Sequence, residues 1–401
     1  MDMEKQKNYK KTLITCYIGF ITQAIVANSA PLLFLRFHGE FGIPLGQIAL
    51  ISTVFYIVQI LVDVFCAKFV DRIGYRKSVV ASQLMAAAGL VALGILPDAM
   101  QNPLVGILIS VTVYAVGSGL IEVLVSPIVE ACPFDNKDSV MSLLHSFYCW
   151  GVVGVVLIST SFFALFGIEH WRVMAWLWAV VPLVNAYNFA VCPIQRLTDE
   201  GTGMTVSQLL RSPVFWLFIL LMVGAGASEA SMAQWASAYV ESALGFSKSM
   251  GDLAGPCLFA VAMGFSRVLY GKFGHKMNLT SFMLGSGILC FGCYLVAAVS
   301  PHPLLGLAGC ILCGFSVGIM WPGSISIASA GMPLGGTALF ALLAMGGDLG
   351  ASVGPSVVGF FTQNAGDNMR AGMFAGMVFP IVLILTLFAI KALVPDGRRQ
   401  R

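Results

Sequence analysis

Charge is what this sequence has least of. Asp, Glu, Lys and Arg make up 10% of its 401 residues and hydrophobic residues 58%, whereas soluble domains carry roughly a quarter charged residues. That scarcity excludes a water-soluble fold and reads as a multi-pass membrane protein. The net charge of +3 lies in short loops between apolar runs, not along one face, which argues against a nucleic-acid partner. None of the ten cysteines falls in an outer loop, so no disulfides are expected. Also missing are a nucleotide-binding loop, a serine-nucleophile elbow and a zinc-protease pattern. Their absence argues against ATP-driven transport, and neither an enzymatic activity nor a cofactor is expected.

What is present is a series of apolar runs bounded by Gly, Pro and charge clusters, each long enough as a helix to cross roughly 30 Å of hydrocarbon. Twelve spans are expected, at 12–35, 47–68, 78–97, 104–129, 139–166 and 172–192, then 213–242, 250–270, 278–299, 304–330, 337–363 and 371–393. The more polar segment 193–212 between the two groups reads as a cytoplasmic linker, giving an N-terminal half at 1–192 and a C-terminal half at 213–401. Lys and Arg collect on one side of this pattern, leaving Arg36, Arg172, Lys248 and Arg370 outside and Arg267 within a span. By the positive-inside rule both termini lie in the cytoplasm of a cell-membrane protein. The first span is too long for a signal-peptide core and lacks a small-residue cleavage site, so it is expected to be retained.

The fourth span carries an acid near its centre. Glu122 lies within Gly117-Ser118-Gly119-Leu120-Ile121-Glu122-Val123-Leu124-Val125-Ser126-Pro127, in the middle of the fourth run. A carboxylate at that depth costs about 3 kcal/mol on insertion scales, so it is a functional candidate by default. Counting by four, Tyr114, Ser118, Glu122, Ser126 and Glu130 form a polar stripe, and Gly117 and Gly119 allow a neighbouring helix to come close. The stripe must face protein or water. Burial would raise the affinity of Glu122 for a proton, which suits either a proton carrier or a neutral structural acid.

The chain also repeats itself. Asp71-Arg72-Ile73-Gly74-Tyr75-Arg76-Lys77 follows the second span, and Gly271-Lys272-Phe273-Gly274-His275-Lys276-Met277 follows the eighth, an offset of 200 residues. Two six-span halves related by duplication are the sequence form of a transporter made from parallel repeats.

Ala67 to Lys77 resembles the loop signature of the major facilitator superfamily, with Ala67 and Tyr75 departing from the pattern. The resemblance implies a twelve-helix all-α fold working by alternating access. In it, Asp71 would meet the N-terminus of span eleven, and Asp71, Arg72, Gly74 and Arg76 would govern an inner gate. Three shorter stretches resemble the fucose:proton symporter family: Gly119-Leu120-Ile121-Glu122, Leu144-His145-Ser146-Phe147-Tyr148 with Trp150-Gly151, and Ala227-Ser228-Glu229. That likeness implies a hexose substrate and a coupling proton on Glu122. Some members place an Asp in span one, whereas Gln23 to Pro31 has none, which points away from fucose itself.

The superfamily lines its cavity with spans one, four, seven and ten, which makes Glu229 in span seven a second candidate, for the proton or for sugar hydroxyls. Gln23, Asn28 and Gln234 offer amides to hydroxyls, and Trp235 and Trp321 offer indole faces to a pyranose. Trp321 precedes Pro322, where a broken helix would leave carbonyls unpaired. Asp63 and Arg267, on the inner half, are expected in a charge network at the gate. His145 and Asp348 could join a proton path or serve the packing. Cys290, Cys293, Cys310 and Cys313 match a four-cysteine zinc spacing but lie in apolar spans, so they read as packing residues and no metal is expected. The sequon at Asn278 faces the cytoplasm and is discounted. The expected function is proton-coupled symport of a monosaccharide by a monomer whose partners are that solute, protons and the bilayer. A proton-coupled drug or metabolite exporter and a sodium-coupled sugar carrier are the alternatives.

Overall fold

A computed structural model of the chain describes residues 2–43, 45–197, 203–245, 253–366 and 368–393. Residues 198–202 of the expected linker lie outside the described residues, as do Lys248, Arg398, Arg399 and Arg401 among the basic residues used to orient the chain. The regular elements of the described residues are all helices, with no strand, and ten of their segments are long and apolar enough to cross a membrane. The described residues of the other two expected spans also form helices, one of them less apolar and the other shorter. One begins with Arg76 and Lys77, and the other is a π-turn over Leu253–Cys257 that runs into a helix of 16 residues.

Contacts divide the chain into two compact units, one of residues 1–133 and 147–202, the other of residues 134–146 and 203–401. The first holds α1 (Asp2–Ser29), α2 (Phe34–Phe41), α3 (Leu45–Ile73), α4 (Tyr75–Leu93), α5 (Leu96–Ala99), α6 (Pro103–Glu130), most of α7 (Lys137–Phe166) and α8 (Trp171–Val191). Here α6 packs against α4, α3 and α1. Glycine permits the close approach of α4 and α6: a Cβ on Gly117 would lie 2.6 Å from the Ser82 carbonyl oxygen. Ile25, Phe37, Leu90, Ile107 and Trp171 lie in the core.

The second unit holds the start of α7, then α9 (Val206–Leu210), α10 (Pro213–Ala238), α11 (Leu258–Phe273), α12 (Leu279–Val299), α13 (Pro303–Val317), α14 (Met320–Gly331), α15 (Gly336–Asn364), α16 (Met369–Gly376) and α17 (Val378–Leu393). Its most extensive contact joins α10 to α15. There Gly226, Gly350 and Gly354 face backbone on the opposite helix, and a Cβ on Gly354 would come within 2.8 Å of the Ala227 oxygen.

The helix ends follow local chemistry. Pro103, Pro213 and Pro303 occupy the first helical position, where a missing N–H costs nothing. Asn102, Asn278 and Asn368 accept the first free N–H groups of α6, α12 and α16, each at 3.0 Å. Apolar side chains such as Leu61 (63% exposed), Leu165 (78%) and Leu385 (63%) cover the outside. That surface is suited to hydrocarbon and unsuited to water. All ten cysteines are buried except Cys257, which is half-buried.

Candidate functional site

In the first unit, α6 carries Glu122 between two helices that each contribute a primary amide. Gln23 on α1 donates from Nε2 to Glu122 Oε2 at 2.9 Å. Gln59 on α3 donates from its own Nε2 to the same oxygen. Gly119 makes room for this arrangement, because a Cβ there would press on Val62 at 3.0 Å and on the Gln59 side chain at 3.4 Å. Both amides are buried, with Gln23 7% and Gln59 4% exposed, and Asp63, one turn beyond Gln59 on α3, is fully buried. An ionised carboxylate only accepts hydrogen bonds, and two N–H donors fill the lone pairs of one oxygen. The two amides therefore help to hold a charge at this depth.

Gln59 is the residue that sequence reasoning missed. Its signal was the one used for Glu122: a polar side chain within an apolar helix, four residues before Asp63. Asn28, by contrast, donates to the Ala24 carbonyl of its own helix at 2.9 Å and is half-buried.

The second unit has a different centre. Arg267 on α11 is 3% exposed, and its Nη2 lies 3.3 Å from Glu229 Oε2 on α10. The same guanidinium donates from Nε to the Gly318 oxygen at 2.7 Å and from Nη1 to the His145 oxygen at 3.0 Å. The first bond has a sequence cause. Four residues after Gly318 stands Pro322, which has no N–H to give back, so the Gly318 carbonyl loses its helical donor and the span breaks between α13 and α14. Arg267 replaces that donor. Ser142, in the first turns of α7, in turn donates to the Arg267 carbonyl at 2.8 Å.

The remaining candidates of this unit are distributed around α15. Trp235 is half-buried, and its indole nitrogen donates to the Pro355 oxygen at 2.9 Å. Trp321 lies against Gly347, where a Cβ would collide with its ring. Gln234 is exposed, while His145 and Asp348 are buried. Of the four cysteines at zinc spacing, Cys290 and Cys313 come together, with their sulfurs 3.8 Å apart. Among the described residues no group of three or more His, Cys, Asp or Glu side chains could hold a metal ion.

In the duplicated loops, Gly74 has φ of +94°. This backbone is open to glycine and strained for other residues, and it lets α3 end and α4 begin with no intervening loop. Gly274 is not its equal, since its φ is −59° within the helical region. Asp71 and Arg72 are exposed. Arg76 Nη1 donates to the Phe189 and Ala190 carbonyls at 3.0 and 2.6 Å, closing the last turn of α8 with a positive charge.

The family model of the Major Facilitator Superfamily matches residues 15–355. The chain belongs to that superfamily. It is therefore a multi-pass membrane transporter of small molecules and not an enzyme. Among its relatives is the MFS-type transporter YcaD of Salmonella paratyphi A, 22% identical over 393 residues, covering 93% of this chain and 94% of that protein. The E. coli fucose:proton symporter FucP has the same fold, with a TM-score of 0.78 at 15% identity over 95% of this transporter and 99% of that chain. So has the proton:xylose symporter XylE, solved with 6-bromo-6-deoxy-D-glucose bound, with a TM-score of 0.80 at 13% identity over 98% and 97% of the two chains. Identities this low speak for the fold alone.

Proposed function

We propose that this transporter imports a monosaccharide together with protons by alternating access, with Glu122 as the proton carrier. The observation that carries the reading is the setting of Glu122: a carboxylate within an apolar span, held at one oxygen by the amides of Gln23 and Gln59. The two amides stabilise the charge without cancelling it, so a proton that arrives on Glu122 removes a charge that they hold in place. A site that alternates between charged and neutral presents two different costs to the membrane interior, and that difference can be coupled to a conformational change.

Glu229 has a different role in this reading. Protonating it would leave the guanidinium of Arg267 buried without its counter-charge, so the pair acts as a fixed dipole near the substrate, with Glu229 accepting from sugar hydroxyls. Gln23, Asn28, Gln234, Trp235 and Trp321 are proposed to complete the sugar site. Asp63, Asp71, Arg72, Gly74, Arg76 and Arg267 are proposed to govern the inner gate. The halves are taken as 1–192 and 213–401, joined by the cytoplasmic linker 193–212. The chain would act as a monomer in the cell membrane with both termini inside. The sugar assignment is supported by FucP and XylE, whose names record sugar and proton transport, and by the amide and indole groups on α1, α10 and α14.

The test is uptake of labelled hexoses and pentoses into proteoliposomes under an imposed pH gradient. Accumulation that an uncoupler abolishes supports the reading. Accumulation that follows a sodium gradient instead, or substrate extrusion in exchange for protons, overturns it.

A further inference from the structure

Gln59 belongs to no motif in the sequence, yet its amide reaches the same carboxylate oxygen as Gln23. We propose that Gln59 is the positioning residue for the proton on Glu122: its N–H holds the ionised carboxylate, and after protonation its amide turns to accept the acid O–H through Oε1. The proposal rests on Glu122 being the proton carrier.

Three observations support it. The first is an unsatisfied atom. Gln59 Oε1 is buried and has no hydrogen-bond partner, on a side chain that is 4% exposed. A buried acceptor left unpaired is costly, and it is relieved by a donor brought within reach. A protonated Glu122 is such a donor, adjacent to this amide already. The second is freedom to turn. The terminal torsion of glutamine is broad and roughly two-fold, so exchanging the nitrogen and oxygen needs no movement of the helix. The third is the difference from the other amide: no atom of Gln23 is both buried and unpaired. The two glutamines are thus inequivalent, and Gln59 is the one with a reason to respond.

The step balances simply. A hydronium ion transfers its proton to a Glu122 oxygen and leaves as water, one O–H bond forms, and nothing is oxidised. Other titratable groups lie on the helices packed around Glu122: Asp63 on α3, Tyr17 on α1, Tyr114 and Glu130 on α6, and Arg76 in the first turn of α4. Asp63 is the one that could imitate the effect, being buried one turn from Gln59.

The experiment is infrared titration of the protonated carboxyl band in purified full-length transporter without substrate. The proteins compared are wild type, Glu122→Gln, Asp63→Asn, Gln59→Met and Gln59→Asn. Glu122→Gln should delete one titrating band and thereby assign it. Gln59→Met keeps the length of the side chain but removes the amide. It should raise the midpoint of that band by about 1 pH unit, the surplus of a hydrogen bond to the charged carboxylate over the neutral one that the protonated acid makes, and should shift its frequency as the acid O–H loses its acceptor. A purely structural role would lower the thermal unfolding temperature and leave midpoint and frequency where they were. Gln59→Asn, with a shorter amide, gives the same reading if the Met variant does not fold. An unchanged band in the Gln59 variants overturns the positioning role while leaving the carrier reading intact. Absence of any band lost in Glu122→Gln overturns both, and a band lost only in Asp63→Asn gives the proton to Asp63 instead.

Discussion

Each unit of this transporter holds a half-buried carboxylate inside a helical bundle, and the hydrogen-bonding partners of the two differ. Glu122 has two neutral amides on one oxygen, while Glu229 faces a guanidinium that is also anchored to the Gly318 and His145 carbonyls. The difference separates two uses of charge in a membrane. A carboxylate held by amides keeps its charge and can lose it to a proton, so its state can change during a cycle. A carboxylate matched by an anchored arginine is neutral as a pair, and the pair gains from staying together.

The sharpest way to break the comparison is to remove the charge of Glu122. Glu122→Gln should abolish accumulation driven by a pH gradient. Under the proposed one-proton symport, a gradient of one pH unit, worth about 1.4 kcal/mol per proton, would sustain about tenfold accumulation in wild type. In the variant, labelled substrate should reach only the external concentration, because no proton is coupled to its movement. Retention of uphill uptake would move the carrier elsewhere.

The paired site should respond through stability. Arg267→Met leaves the half-buried Glu229 without its partner, and thermal or chemical unfolding should show a loss of about 2 to 3 kcal/mol, below the range for a fully buried pair. Arg267→Met combined with Glu229→Gln should recover most of that loss, since a neutral pair needs no counter-charge. If the double variant is no more stable than the single, the ion pair is not what Arg267 provides, and its bond to the Gly318 carbonyl dominates.

A smaller effect compares the packing seams of the two units. Ala at Gly117 or at Gly226 would drive a methyl group into backbone of α4 or α15 respectively, with a cost of about 1 to 3 kcal/mol each. Ala at Gly154, which has open space around its Cβ position, should be neutral or slightly stabilising. Unfolding temperatures of the three variants test the ranking.

The smallest effect concerns a third carboxylate, outside the spans. Glu40 is hydrogen-bonded by Arg172, Trp171 and Arg36. Burial alone would raise its pKa, but these donors outweigh burial and hold it below the usual glutamate value of 4.5. The folded state thus binds the proton less readily than the unfolded state. The stabilisation from Glu40 is therefore present above pH 4.5 and disappears as the pH falls through its lowered folded value. Partial exposure limits it to about 1 kcal/mol or less. Glu40→Gln should flatten the pH dependence of unfolding on the acid side and leave the neutral range nearly unchanged.

How far the sequence could be read depended on whether the relevant physics was local. Apolar length is local, and the expected spans appear as helices. The signal weakens where Arg76 and Lys77 begin α4 and where the Pro256 π-turn precedes α11. Gly74 was legible as a glycine in a tight loop, although the left-handed backbone that requires it is absent at its repeat partner Gly274. Glu122 stood out because an acid in hydrocarbon is anomalous by itself. Gln59 carries a weaker form of the same signal, because an uncharged amide in an apolar helix is far less costly than an acid and gains meaning from the helix across from it. Arg267 stands out in the sequence only as a charge within a span. Its bond to a carbonyl that Pro322 leaves without a donor joins residues 51 positions apart, a relation that no periodicity encodes.

The burial of the cysteines has a practical consequence for how this transporter can be studied. With thiols enclosed everywhere except at Cys257, maleimide reagents should find almost nothing to label in the native chain. Replacing Cys257 alone would give a silent background without rebuilding the interior. A single cysteine introduced at Gln234 or Asn28 would then report its own accessibility, and protection by an added sugar would turn that label into a binding assay that needs no radioactive substrate.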